Sequence, residues 1–185
     1  MNVLGLDPGL HHTGYAVLRV RPHTSAPACT ITLQDAGVIK PSGRGALVRR
    51  LSVLRRAREL VLTCLPAVIV LEDYHWQGAR RRAGNATQLH RMVGMLETLA
   101  LTTWTCGATS SGVEQLVLLE PGVWMRQLCG PGPTPKPRVA AVVQLRLGTA
   151  IAEPRGRRSG NHATDAAGVA LAWLDHWLLE RRINA

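Results

Sequence analysis

The chain has 185 residues, enough to bury a substantial core, and we expect residues 1–185 to form a single domain. Its 22 Lys and Arg residues outnumber 12 Asp and Glu residues, which gives a formal net charge of +10. This charge is typical of an ordinary soluble basic protein or of one that binds a polyanion such as nucleic acid.

The cysteines and the apolar runs make several other classes improbable. The four cysteines are far apart and form no C-x-x-C pair, so we do not expect a structural zinc site. No apolar run reaches membrane-spanning length without charges, so we expect no membrane partner. Asp7 and Pro8 interrupt the only apolar stretch near the start, so no secretory signal is expected and a cytoplasmic location follows.

The predicted elements begin with an apolar strand, Val3–Leu6, that ends at Asp7 before a turn favoured by Pro8 and Gly9. Four further strands are predicted at Thr13–Val20, Thr30–Lys40, Ala67–Leu71 and Gln115–Glu120. Helices are predicted at Gly45–Leu65, Ala86–Leu101, Trp124–Leu128, Val139–Leu147 and Asn161–Arg181, with a loop at Gly130–Pro137. This order predicts an α/β fold whose mixed sheet begins as a meander.

Helical periodicity predicts an apolar stripe on each of the two long helices in the first half of the chain. In the first helix the stripe contains Leu47, Leu51 and Leu54, and the arginines at 49, 50, 55 and 56 lie largely on the other side. In the second helix it contains Met92 and Leu96. Periodicity alone does not distinguish a core stripe from an interface between two chains.

Four side chains form a candidate metal site. Asp7 and Glu72 each end a predicted buried strand, and they face one another if the first and fourth strands are parallel neighbours. Two carboxylates so close repel strongly unless a cation lies between them. His162 and Asp165 are three residues apart on the last helix and therefore share one face.

Carboxylate oxygens with one imidazole suit Mg²⁺ or Mn²⁺ better than zinc. Two such ions about 3.5–4 Å apart are a common arrangement for attack of water on a phosphodiester. Each residue also has a purely structural interpretation: Asp7 stabilises its own turn, Glu72 pairs with an arginine, and His162 and Asp165 favour the start of a helix.

Four segments together resemble the RuvC-type Holliday junction resolvases, nucleases of the RNase H-like (retroviral integrase) superfamily. The segments occur in order over nearly the whole chain: Gly5–Val17 (GLDPGLHHTGYAV), Ile69–Glu72 (IVLE), Pro121-x-x-Trp124 followed by the Gly-rich loop with Lys136 and Val139, and His162–Ala167 (HATDAA). The first motif alone also resembles that of the actin-like ATPases, whereas the four together are specific.

The resemblance implies an RNase H-like fold: a five-stranded mixed sheet flanked by helices. It implies a homodimer that cuts a four-way DNA junction symmetrically with Mg²⁺ or Mn²⁺, two ions per site, leaving 5′-phosphate and 3′-hydroxyl ends. Asp7, Glu72, His162 and Asp165 would be the metal ligands, and Lys136 would stabilise phosphate charge as a further catalytic residue. Histidine at 162 replaces an acid found in many members, which favours Mn²⁺. The host would be a bacterial or phage-infected cell, and a branch-migration motor is a candidate partner.

The resemblance also implies residues that contact DNA. Tyr74 or Trp76 would replace the aromatic residue that members often place after the second acid, because an aromatic ring can stack on a base. Basic residues would contact the backbone phosphates: Arg80, Arg81, Arg82, Lys136, Arg155, Arg157 and Arg158. Ordinary packing of the aromatics and a solvated surface for the arginines are the alternatives. The helix Ala86–Leu101 would supply the dimer interface.

Three other functions stay open at this point. A YqgF-type nuclease of the same superfamily would act on RNA, although the basic Gly/Pro loop and the chain length favour a DNA resolvase. A non-catalytic junction or RNA binder would have kept the fold, with His162 as a sign of lost activity. A small actin-like nucleotide-binding protein is disfavoured because its second glycine motif is missing.

Overall fold

The computed structural model describes residues 1–23, 29–73, 83–105, 113–152 and 161–183, which contain five strands and five helices. The strands are β1 (Asn2–Asp7), β2 (Thr13–Pro22), β3 (Cys29–Ile39), β4 (Val68–Glu72) and β5 (Gln115–Leu119). The helices are α1 (Ala46–Cys64), α2 (Ala83–Thr105), α3 (Pro121–Cys129), α4 (Lys136–Leu147) and α5 (His162–Ile183). None of the described helices combines the length and the apolar character needed to cross a lipid bilayer.

The five strands form one mixed sheet in the order β3-β2-β1-β4-β5. The strands β1, β2 and β3 form an antiparallel meander, whereas β4 runs parallel to both β1 and β5. This confirms the predicted fold class, a five-stranded mixed sheet flanked by helices. It also confirms that the first and fourth strands are parallel neighbours.

The central strands are apolar throughout because helices cover both faces of the sheet. Val3, Val68 and Val70 belong to the core cluster on the α3, α4 and α5 face. Leu4 and Leu71 point to the other face, where they pack with residues of α1 and α2. Side chains alternate across a strand, so one short apolar run supplies both cores.

Only part of the apolar stripe predicted for α1 faces the core, because Leu54 packs against the core cluster there. Leu47 is 58% exposed and Leu51 is 45% exposed, whereas Val53, Ala57 and Leu60 are buried. The buried set also recurs at helical spacing. In α2 the predicted stripe is correct, because Met92 and Leu96 are buried in the core of this chain. That stripe is therefore core of this chain, and a dimer interface on this helix stays a prediction.

Like α2, the helices α3 and α4 begin three residues earlier than predicted, and in these two the reason is that proline is tolerated in the first helical turn. Pro121 is the first residue of α3, where we expected the connection between the strand ending at Glu120 and the helix beginning at Trp124. Lys136 and Pro137 open α4, although we placed both in the loop Gly130–Pro137. Proline lacks an N–H that would be unpaired at these positions, and its fixed φ angle suits a helix.

A pair of glycine substitutions tests the packing of α5 on the sheet. A Cβ atom at Gly5 would overlap the backbone oxygen of Ala166, whereas one at Gly94 would meet open space. We expect Gly5→Ala to lower the free energy of unfolding by about 1–3 kcal/mol. Gly94→Ala should raise it by about 0.5–1 kcal/mol, because Gly94 lies inside a helix. Urea denaturation measures both, and equal effects of the two substitutions would contradict the described packing.

Candidate active site

Two carboxylates meet at the carboxyl edge of the parallel strands. Asp7 is the last residue of β1 and Glu72 is the last residue of β4, and the register pairs Leu6 with Leu71 immediately before them. Burial first, and then the charges of Asp7 and Asp165, raise the pKa of Glu72, as expected for carboxylates at one edge of the sheet. The predicted pair of acids at one edge of the sheet is therefore present.

Helix α5 brings the third and fourth side chains to the same place. A Cβ atom at Gly14 would overlap the backbone oxygen of His162, and one at Gly5 would overlap that of Ala166. These glycines let the first turns of α5 lie directly on β1 and β2. As a result His162 and Asp165, on the first turn of α5, reach the ends of β1 and β4.

His162 forms the contact that joins α5 to β1. Its Nδ1 lies 2.6 Å from Oδ2 of Asp7, across 155 positions of sequence. The hydrogen bond to Asp7 is the main reason why the pKa of His162 is raised, although partial burial opposes it. Because the carboxylate of Asp7 bonds the imidazole of His162, its role goes beyond the local turn.

Lys136 binds Asp165 from the start of α4. The Lys136 Nζ lies 2.5 Å from Oδ2 of Asp165, whose side chain is only 7% exposed. The lysine side chain itself is 56% exposed, so the ammonium group is open to solvent as well as to the site. Lys136 was predicted from the resemblance, and the structure places it beside the acids.

Glu72 is held by an indole. Nε1 of Trp124 donates a hydrogen bond to Oε2 of Glu72 at 3.2 Å, and the Trp124 ring is fully buried below it. Burial raises the pKa of Glu72 to about 8, and the charges of Asp7 and Asp165 act in the same direction. The hydrogen-bond partner of Glu72 is thus an indole N–H. Among the described residues, no salt bridge joins Glu72 to an arginine.

Two contributors to the site were not predicted from the sequence. The His12 ring stacks on the His162 ring, with the ring centroids 5.7 Å apart. Trp124 was noted as part of a motif, but its hydrogen bond to Glu72 was not expected. The available signals were the His11-His12 pair directly after the Asp7 turn and the spacing of Trp124 after Pro121, neither of which specifies a contact.

The donor set suits a hard divalent cation. Burial raises the pKa of Asp7 as well as that of Glu72, so ionised acids here need positive charge. Oδ1 of Asp165 is buried and has no hydrogen-bond partner among the described residues. A carboxylate oxygen left unpaired in a buried site is a natural metal ligand.

The acids are paired with cations of the chain itself in this arrangement. Among the described residues, no three His, Cys, Asp or Glu side chains already stand in a geometry that would hold an ion. Asp7 is engaged by His162 and Asp165 by Lys136. Entry of a metal would therefore exchange or share these two contacts.

Most of the predicted DNA contacts fall outside the described residues. They are Tyr74, Trp76, Arg80, Arg81, Arg82, Arg155, Arg157 and Arg158. Their roles stay predictions. Lys136 is the one DNA contact of the predicted set that lies within the described part of the chain.

Comparisons with known proteins agree with the resemblance found in the sequence motifs. No family model matches the chain. The crossover junction endodeoxyribonuclease RuvC of Solidesulfovibrio magneticus is 29% identical over 184 residues, covering 99% of this chain and 95% of the relative. The protein of the same name from Synechococcus sp. (strain CC9311) is 27% identical over 180 residues, covering 95% of this chain and all of the relative.

Solved structures agree on the fold. Thermus thermophilus RuvC superimposes with a TM-score of 0.74 at 24% identity, covering 97% of both chains. The same protein in complex with a Holliday junction substrate gives a TM-score of 0.73 at 23% identity, covering 97% of this chain and 96% of that one. The comparisons confirm the resemblance to the RuvC-type resolvases. The arrangement of strands and helices is thus the fold of these RuvC structures.

The raised pKa of Glu72 gives a prediction about stability in the absence of metal. The pKa of Glu72 is about 8 in the folded state, against 4.5 for a glutamate without these surroundings. Ionisation therefore favours unfolding as the pH rises from 4.5 to about 8. We expect Glu72→Gln to remove this penalty and to exceed the wild type in free energy of unfolding by a few kcal/mol at pH 8, but not at pH 4.

Urea denaturation in EDTA at the two pH values measures the effect. Glu114→Gln is the matched control, because Glu114 is exposed and precedes the first residue of β5, whereas Glu72 is the last residue of the parallel strand β4. A Glu72→Gln gain that is equal at pH 4 and pH 8 would exclude the titration of Glu72 as its cause.

Proposed function

We propose that this chain is a structure-selective DNA endonuclease that resolves four-way junctions by symmetric, metal-dependent phosphodiester hydrolysis. The products would carry 5′-phosphate and 3′-hydroxyl ends. The observation that carries the proposal is the convergence of Asp7, Glu72, His162 and Asp165 at one edge of the sheet. The RuvC relatives are named as crossover junction nucleases, and one structural neighbour is a RuvC complex with a Holliday junction, which supports the same substrate.

The cofactor we propose is Mg²⁺ or Mn²⁺, two ions per site. The carboxylates of Asp7, Glu72 and Asp165 and the imidazole of His162 would hold them. When bound, such ions neutralise developing phosphate charge and make water a better nucleophile. The buried unpaired oxygen of Asp165 and the raised pKa of Glu72 support this assignment.

The other polar residues of the site position these ligands. The His12 ring stacks on the His162 ring and would orient this ligand, and the Trp124 indole would orient Glu72 through its hydrogen bond. Groups behind or beside ligands typically tune metal sites strongly. Lys136 is exposed enough to turn from Asp165 towards a phosphate, where its charge would favour the reaction.

The wider assembly is also part of the proposal. The whole chain would act as one nuclease domain and as a homodimer, so that two sites cut a junction symmetrically. Tyr74 or Trp76 would act at the junction centre, with Arg80–Arg82, Arg155, Arg157 and Arg158 on the backbone. A branch-migration motor would be a further partner.

The second candidate is an RNA-processing nuclease of the YqgF type, since the same four ligands would serve either substrate. Comparing cleavage of a four-way DNA junction with that of single-stranded RNA distinguishes them. The proposal requires a clear preference for the junction. Preferential cleavage of the RNA would favour the YqgF-type function.

Replacing Asp7 tests the reaction directly. Asp7→Asn keeps the shape of the side chain but removes the charge that would hold a cation. We expect nicking of a labelled four-way junction to fall at least about a hundredfold, since even residues behind metal ligands contribute roughly 10–100-fold. The control is Asp175→Asn. It removes the same charge from an ion pair between Asp175 of α5 and Arg146 of α4. Unchanged nicking by Asp7→Asn, with metal present, would refute the mechanism.

Metal binding distinguishes the enzyme from a non-catalytic binder of the same fold. We expect Mn²⁺ at one hundred times its Kd to stabilise the folded wild type by about 2.7 kcal/mol. Asp165→Asn should reduce that gain, and Glu114→Gln should keep it. Thermal unfolding with increasing Mn²⁺ measures the effect, and absence of any stabilisation at millimolar Mn²⁺ would favour the binder.

A further inference from the structure

A small cavity lies beside the turn that connects β1 to β2, between that turn, α1 and α2. Its volume is about 120 Å³, and its lining residues are Leu10, His11, Ala46, Arg49, Arg50, Gln88 and Met92. One water occupies roughly 30 Å³ in the liquid, so the cavity has room for a phosphate group.

The lining carries positive charge without compensation. Arg49 and Arg50 contribute two guanidinium groups, His11 contributes an imidazole, and none of the described lining residues is acidic. The neighbouring groove on α1 differs, because Glu59 lines it and pairs with Arg56 at 2.9 Å. The cavity is therefore the more favourable of the two for an anion.

The start of α1 adds to this preference. The helix begins at Ala46, has no acidic residue in its first turn, and its N-cap Gly45 provides no side-chain hydrogen bond. The first N–H groups of a helix have no partner within the helix and carry partial positive charge. Ala46 lines the cavity, so this end of the helix faces any anion bound there.

Arg50 supplies an independent indication of a ligand. Its Nη1 donates a hydrogen bond of 2.5 Å to Oε1 of Gln88, which fixes the guanidinium between α1 and α2. Its Nε is buried and has no acceptor among the described residues. A buried donor without an acceptor is costly, so the guanidinium as placed leaves part of its hydrogen-bonding capacity unused beside the cavity that Arg50 lines.

The same turn joins the cavity to the candidate active site. Leu10 and His11 line the cavity, while the next residue, His12, stacks on His162. The chain thus passes from Asp7 to the cavity and back to the site within five residues. The cavity and the candidate active site are therefore neighbours along this turn.

We propose that this cavity binds a backbone phosphate of the DNA strand that lies across the active site. The inference rests on the proposed function and adds a contact to it. Phosphate contacts fix the register of a protein on nucleic acid without reading its sequence. Arg50, held by Gln88, and Arg49 would be the phosphate ligands, aided by the start of α1.

The salt dependence of junction binding tests the proposal without any cleavage. In EDTA, we expect the double variant Arg49→Gln/Arg50→Gln to reduce the slope of log K against log salt by roughly 1, the effect of one lost phosphate contact. The control Arg58→Gln/Arg182→Gln removes the same two charges at exposed positions of α1 and α5 and should keep the wild-type slope. Equal slopes for the two double variants would overturn the proposal.

A second variant keeps the test independent of folding. Ala46→Asp places a carboxylate at the start of α1, where acids stabilise a helix. We expect an unchanged or higher melting temperature together with weaker junction binding, because the carboxylate would neutralise the cavity. Unchanged binding would contradict the proposal.

The ligand source and the proposed function are tested separately. Replacing chloride by inorganic phosphate at constant ionic strength should weaken junction binding of the wild type but not of Arg49→Gln/Arg50→Gln. Micromolar affinity for inorganic phosphate alone would identify a free anion as the occupant and overturn the DNA assignment. A wild type that shows the expected slopes but cuts no junction with Mn²⁺ would refute the nuclease and support the cavity. A wild type that binds no DNA at low salt would refute both.

Discussion

The parallel pairing of β1 with β4 is the constraint on which the site depends. It ends two buried strands at the same edge, each with an acid, and so places Asp7 and Glu72 together in a poorly solvated environment. Hydrophobic burial of both faces of the sheet has to offset the cost of that arrangement. The chain limits the cost with His162, Lys136 and the Trp124 indole, each of which contacts one acid. A divalent cation would relieve the remaining repulsion.

Close packing of α5 turns this edge into a four-residue site. The side-chain-free positions Gly5 and Gly14 allow the backbone of α5 to touch β1 and β2, and this contact sets the depth of His162 and Asp165. A shift of α5 by the width of one methyl group would move both residues away from Asp7. Stability and function are therefore coupled here through backbone contact as well as through charge.

The sequence predicts the site better than it predicts the surroundings of the site. Asp7, Glu72, His162 and Asp165 lie at the ends of elements with strong periodic patterns, so their convergence follows once the strand order is known. The start of α4 at Lys136 was missed because a proline can end a loop or open a helix, and packing decides which. The exposure of Leu47 was missed because α1 has two apolar stripes, and packing decides which of them is buried. Contacts such as that of Arg50 with Gln88 join residues 38 positions apart, and no local pattern specifies them.

The turn between β1 and β2 separates two sites of opposite charge. On one side lie acids that need cations, and on the other lies a cavity whose arginines and helix start favour an anion. A nucleic acid strand would suit both sides at once, because cations held by the acids and the arginines of the cavity would both attract its phosphates. A protein that bound only a metal would have no use for the cavity, and a protein that bound only a polyanion would be disfavoured by the buried acids. The combination therefore favours a nuclease over either simpler function.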